Sequence, residues 1–307
     1  MKKIIYVLVI SFFSFSSYAS TPINLSYPLM GTILVAQVGL VLEKTDILKK
    51  HGFKPTVSAL GTGKELKTAM LGNKADVILT SESNFVVLRG NNFESYAFST
   101  MGSAGRLALV VKSDGKINNL TDLRGKKIGA IFGTTVHKDA LEWKNQIDSK
   151  GIELINLSSV AAILSAIDAG TIEAGMVWDP FLENALTSKK FKTLGQKEFD
   201  LVNIISADYF KKNPNVEQKI NDSLKEAIFY LVQHKNEVNQ WYSNLIKIDE
   251  SVIDRATSIN KNYNVKKMNE IDLKINAELK NKMNSVNDFF FQEKVISQKA
   301  VLENYIH

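Results

Sequence analysis

The stretch from Ile128 to Leu182, IGAIFGTTVHKDALEWKNQIDSKGIELINLSSVAAILSAIDAGTIEAGMVWDPFL, decides the fold. Lys127 to Ile131 alternates apolar and small residues and predicts a strand. Gly133 breaks it, and Thr134 or Thr135 supplies a hydroxyl cap for a helix whose apolar face is Val136, Ala140, Trp143 and Ile147. Ile152 to Leu157 is a second short strand. Ser158 or Ser159 caps the next helix, which carries Ala162, Ile163, Ala166 and Ile167 and stops at Gly170. Ala174 to Trp178 is a third strand. Asp179 then stands where an N-cap belongs, and Pro180 at the first helical position. Strands alternating with single helices specify a parallel sheet built from βαβ crossovers, with ligands beyond the carboxyl ends of the strands. Two helix N-termini, after Phe132 and after Trp178, open on that edge.

Upstream the same form recurs. Ile23 to Tyr27 is a strand followed by the loop Pro28-Leu29-Met30-Gly31, and Thr32 or a neighbour starts an apolar helix through Val35, Val38, Val41 and Leu42. Pro55 to Leu60 is a strand leading through Gly61-Thr62-Gly63 into a helix with Leu66, Ala69 and Met70 on one face, ended by Gly72. Ala75 to Leu79 is a strand whose following helix is capped within Thr80-Ser81-Glu82-Ser83 and ends near Gly90. Two lobes of one α/β architecture follow from this repetition. Leu107 to Val111, after the glycine-rich turn Gly102 to Arg106, predicts a first crossover between them, and Leu201 to Ser206 the return. From Asp208 onward the pattern is helical. Lobe one is expected at residues 20–102 and 205–307, and lobe two at residues 103–204.

Met1 to Ala19 has two lysines, an apolar run from Ile4 to Phe15, and small residues at Ser17 and Ala19, the pattern of a signal peptide cleaved after Ala19. The run is short for a membrane span. With no cysteine in 307 residues, no lipid can be attached at the cleavage point and no disulfide can form. An exported, unanchored periplasmic protein is the expectation. The formal charge of +6 falls to +4 once Lys2 and Lys3 leave, and the lysines are scattered among acidic residues. That reads as a solvated surface, with no nucleic-acid partner.

Thiol nucleophiles and zinc–thiolate sites are excluded by the missing cysteine. The four histidines, His51, His137, His234 and His307, lie far apart and make no metal-ligand spacing, and no nucleophile elbow or P-loop is present. No enzyme activity, cofactor or metal is expected. The glycine and threonine turns Gly61-Thr62 and Gly133-Thr134-Thr135 instead put backbone N–H groups and hydroxyls at helix starts, which suits an anion.

The segments LTDLRGKKIG (Leu120 to Gly129), the Gly-Thr-Thr-Val-His turn, NLSSVAAILSAIDAGTIEAG and its VWDPF end resemble periplasmic solute-binding proteins of the alkanesulfonate, taurine and nitrate type, which serve ABC importers. LGTGKELKTAMLGNKADV extends the resemblance to the first lobe, and Phe289-Phe290-Phe291 with Val295-Ile296 to the tail. The resemblance implies a two-lobed type II periplasmic-binding-protein fold with mixed sheets flanked by helices and a ligand cleft between lobes. It implies capture of a small anionic or zwitterionic solute by hinge closure, a membrane ABC permease as partner, and a monomer. A histidine one turn into the helix, here His137, is common in the family. Two departures bear on the ligand: Ser81-Glu82-Ser83-Asn84 replaces a family pair with proline, and Tyr27 to Gly31 lacks the usual polar residues.

The candidate ligand-binding residues are therefore Met30, Gly61, Thr62, Ser81, Glu82, Arg106, Gly133, Thr134, Thr135, His137, Trp178 and Asp179. Trp178 is a stacking surface or core packing. Asp179 and Glu82 are acceptors for a ligand amine, or respectively a helix cap and a solvent-facing partner of a helix dipole. Arg106 reaches the anion or lies on the hinge surface. A related fold also serves enzymes making the thiamine pyrimidine, whose cysteine-rich motif is absent. The alternative functions are a binding protein for that pyrimidine and a ligand-sensing domain for a membrane receptor.

Overall fold

A computed structural model describes residues 20–258 and 261–307, apart from the side chains of 104 and 105. The signal-peptide reading lies outside these residues. The first half of the chain runs β1 (Thr21–Pro28), α1 (Ile33–Lys44), α2 (Ile47–Lys50), β2 (Phe53–Leu60), α3 (Gly63–Leu71), β3 (Val77–Ser81), α4 (Glu82–Gly90) and β4 (Ser95–Lys112). Then come β5 (Lys127–Ala130), α5 (Thr135–Asp148), β6 (Glu153–Asn156), α6 (Val160–Asp168), β7 (Ala174–Trp178), α7 (Phe181–Thr187) and β8 (Phe191–Ser206). Helices complete the chain: α8 (Ala207–Lys212), α9 (Val216–Gln233), α10 (Lys235–Ile246), α11 (Glu250–Thr257) and α12 (Ala277–Gln292).

The strands form one sheet in the order β2-β1-β3-β8-β4-β7-β5-β6. Each flank is parallel, β2-β1-β3 on one side and β7-β5-β6 on the other. The central pair, β8 and β4, is antiparallel to its neighbours and to itself. The sequence pattern predicts β4 only from Leu107 and β8 only from Leu201. Both strands are longer, because the small residues from Gly102 to Arg106 form bulged strand rather than loop, with register shifts at Thr100/Gly102 and Ser103/Arg106. Ser81 pairs with Leu201 and Ile205 with Val77, whereas Leu107 pairs with Lys197. One pair of strands thus carries both halves of the sheet.

Burial explains the local choices. β3 and β7 are buried at every position, as parallel strands covered on both faces must be. α1 is buried from Ile33 to Leu42, apolar nearly all round, because it is enclosed between the sheet and α9 and α10. On the opposite side, Leu66 and Met70 of α3, Phe85 of α4, and Met283 and Phe290 of α12 form a second core. Ile271 to Asn276 is not helical, although the tail's amphipathic pattern suggests it. At the end of β7, Pro180 occupies the N-cap of α7 and Asp179 stands outside the helix, one residue from the position its sequence suggests.

Candidate functional site

One cavity of about 70 Å³ sits at the carboxyl ends of β1, β3, β5 and β7, between the two halves of the sheet. That is room for roughly five waters, or for the polar head of a small solute. Thr32, Thr62, Ser81 and Thr134 line it, and each is the N-cap of a different helix: α1, α3, α4 and α5. Four helix starts therefore point at one space. The first N–H groups of a helix have no partner inside it, and each N-terminus carries roughly half a unit of positive charge. Pro28, Val35, Val136, Trp178, Phe199 and Leu201 supply apolar wall. No charged side chain lines the cavity among the described residues.

The polar lining is a connected network. Asn84 is its hub: its Nδ2 donates to Thr80 Oγ1 (2.7 Å) and to Ser81 Oγ (3.1 Å), and its Oδ1 accepts from Lys67 Nζ (2.6 Å). Ser81 Oγ also accepts from Thr135 Oγ1 (2.9 Å), across the two halves of the sheet. With both lone pairs engaged, the Ser81 proton is left to donate into the cavity. Trp178 spans the same gap by donating from Nε1 to the Met30 carbonyl (3.2 Å).

Of the residues singled out in the sequence, Thr62, Ser81, Thr134, Thr135 and Trp178 come together on this cavity. Met30 contributes its backbone carbonyl to Trp178. Gly61 and Thr62 give their N–H groups to the Glu65 carboxylate, so this turn caps itself and the free donors begin at Gly63. The spacing Thr62-x-x-Glu65 was the signal for that capping box. The Gly133 peptide is held at both ends: its N–H donates to His137 Nδ1 (3.3 Å) and its carbonyl accepts from Lys67. Thr134 donates its hydroxyl to Ile131 O (2.6 Å) and Thr135 to Ser81, so neither hydroxyl proton is free for a ligand.

Met30, Gly61 and Gly133 stand just behind the lining, and His137, Arg106, Asp179 and Glu82 also lie off the cavity. His137 stacks on Phe132 at 4.2 Å between ring centroids, and burial together with the Lys67 charge pushes its pKa down to about 4, keeping it neutral. Arg106 is spent on Asp179, through Nε (2.9 Å) and Nη2 (3.1 Å), and on Glu183 (2.6 Å). Asp179, 2% exposed, has that guanidinium as its partner, and its Oδ1 also accepts from the Glu183 N–H (3.3 Å) in the first turn of α7, so its side chain serves that helix start although Pro180 holds the N-cap position. Glu82 is neither at the cleft wall nor in solvent. It is fully buried, Ser83 reaches its Oε1 (3.3 Å), its Oε2 has no partner, and burial pushes its pKa up to about 7.

Asn84, Thr80, Gly63 and Phe199 line the cavity and Lys67 supports it through Asn84, although none of the five was a ligand candidate from the sequence. Gly63 has a visible reason to be glycine: a Cβ there would stand 2.3 Å from Asn84 Nδ2.

A profile of the ABC-transporter phosphonate periplasmic substrate-binding family matches residues 46–249. Among solved structures, the alkanesulfonate-binding protein SsuA of Xanthomonas axonopodis pv. citri, bound to MOPS, superposes with a TM-score of 0.79 at 14% identity, over 94% of this chain and 98% of that one. The periplasmic aliphatic sulphonate binding protein SsuA of Escherichia coli gives 0.75 at 17% identity, over 93% and 92%. The desulfurization enzyme DSZB shares the fold more distantly, at 0.64 and 12% identity, over 93% and 96%. No curated protein matches at the level of sequence.

Proposed function

The chain belongs to the phosphonate-type family of periplasmic substrate-binding proteins of ABC transporters, and from that premise we propose that its solute is a small monovalent oxyanion with a short apolar tail, of the alkanesulfonate class. The convergence of four helix N-termini on one uncharged cavity carries this reading. Such a mouth favours an anion through oriented N–H groups, without a cationic side chain in contact. The apolar wall formed by Val35, Val136, Trp178 and Phe199 suits a tail, which nitrate lacks. Taurine and an aminopyrimidine need an acceptor for their amine. Glu82 is sealed away and Asp179 is held by Arg106, so neither answers that need. The SsuA proteins, which are named for alkanesulfonates, lend the same direction.

Capture then closes two lobes on the solute. β4 and β8 are the hinge, at the bulges between Thr100 and Arg106, and the closed state is held by Thr135 to Ser81 and Trp178 to Met30. On this basis the lobes divide near Gly102 and its partner Leu201. The family match supports a transport role rather than an enzymatic one, and the described cavity lining is hydroxyls, the Asn84 amide, peptide N–H groups and apolar side chains. Calorimetry with ethanesulfonate, nitrate and taurine tests the ligand class. Ethanesulfonate should bind more tightly than the other two by at least about tenfold, and tighter binding of taurine or nitrate would overturn the assignment.

A further inference from the structure

Lys67 does not line the cavity, but it stands one hydrogen bond behind the wall, on the lining residue Asn84. It projects from α3, is 7% exposed, and donates from Nζ to Asn84 Oδ1 on its own side and to the Gly133 carbonyl on the other. Both acceptors are neutral. Among the described residues no carboxylate lies within ion-pairing distance of it. Its charged and titratable neighbours are Lys64 on α3, which repels it, and His137 on α5, which is neutral. Glu82, two residues before Asn84 on α4, has Lys282, Asp200 and Lys138 as its charged neighbours. Glu65 is turned to Gly61 and Thr62.

We propose that Lys67 makes closure of the cleft conditional on a bound anion. Closing seals an ammonium at the seam between the lobes with no counter-charge, and the solute, lodged at the helix ends beside Asn84, supplies one. This rests on the anion-capture reading above. Lys67 is a positioning group: it touches Gly133 and Asn84, and through Gly133 it aims the start of α5. An empty cleft with a charged Lys67 is penalised by desolvation. A neutral solute of the same shape leaves that penalty standing, so the device also selects for charge.

The sign of the pH response follows. Buried between Asn84 and Gly133, Lys67 has its pKa pushed down to about 7 by desolvation, from an ordinary lysine value of 10.5. The closed form therefore binds the Lys67 proton more weakly than an open form with Lys67 in water. Empty closure becomes easier as pH rises from about 7 towards 10, by at most about tenfold in the closed-to-open ratio per pH unit.

The absence of native cysteine allows a dye pair on cysteines introduced at exposed Lys74 and Lys150, read by single-molecule energy transfer. Without anion at pH 7 the wild type should be open, should close progressively towards pH 10, and should close at pH 7 on adding ethanesulfonate. Lys67→Met should raise the empty closed-to-open ratio about tenfold or more at pH 7 and flatten the pH profile. Asn84→Asp, which keeps Lys67 and gives it a counter-charge, should also close empty. An empty Lys67→Met protein as open as the wild type, or a wild-type profile that does not respond to pH, overturns the proposal. If the variants close empty but ethanesulfonate moves nothing, the ligand assignment fails while the role of Lys67 at the seam stands.

Discussion

Asn84→Asp changes the charge at the centre of the cavity wall while keeping the shape. Asn84 is 3% exposed, accepts from Lys67 and donates to Thr80 and Ser81. The aspartate keeps the contact to Lys67 and loses both donations. It also sets a negative charge beside the bound anion. Two like charges roughly 5 Å apart at an effective dielectric of about 20 repel by ~3 kcal/mol. That corresponds to a loss of affinity of about 200-fold. The new carboxylate against the Lys67 ammonium acts on stability in the opposite sense. Paired in the folded state, its pKa falls below the ordinary aspartate value, so the pair stabilises at neutral pH, and the gain is lost on acidification below about pH 4. Titration calorimetry with ethanesulfonate reads the first effect and the melting temperature reads the second. The variant should bind ~100-fold or more weakly while melting no lower than the wild type at pH 7. Binding as tight as the wild type's would refute the placement of an anion among these helix ends.

Ser81→Ala removes the hydroxyl on which Asn84 and Thr135 converge and whose proton faces the cavity. Loss of a hydrogen bond to a charged ligand, about 1.5–3 kcal/mol, should weaken ethanesulfonate binding by roughly 10- to 100-fold in calorimetry. Glu82→Gln should leave binding unchanged but raise stability above neutral pH. The folded pKa of Glu82 is pushed up to about 7, so the wild type loses stability as pH rises from about 4.5 to 7, and the glutamine variant does not; melting curves across that range that run parallel would contradict this. Solution scattering should give a smaller radius of gyration with saturating ethanesulfonate than without it. Superimposable profiles would refute a hinge at β4 and β8.

Local order decided what the sequence could give away. The alternation of short apolar strands with single amphipathic helices is written in nearest-neighbour spacing, and so are the caps at Thr32, Thr62, Ser81, Thr134 and Ser159. A cap and a glycine act within a turn of themselves, so their placement needs no knowledge of the rest of the chain. That was enough for the α/β class and for the edge of the sheet where the cavity opens. The length of β4 was hidden, because bulged Gly-Ser-Ala-Gly strand is stabilised by its long partner β8 and not by its own propensity. Side-chain assignment was hidden for a related reason. Whether Arg106 is free depends on Asp179 and Glu183, more than seventy residues away, and they consume it. Glu82 and Asn84 sit two residues apart on one short helix, a spacing that buries one away from the cavity and sets the other in its wall. Lys67 reads as one more surface lysine until β3 and β5 bring α3 against Gly133, where desolvation makes its charge matter.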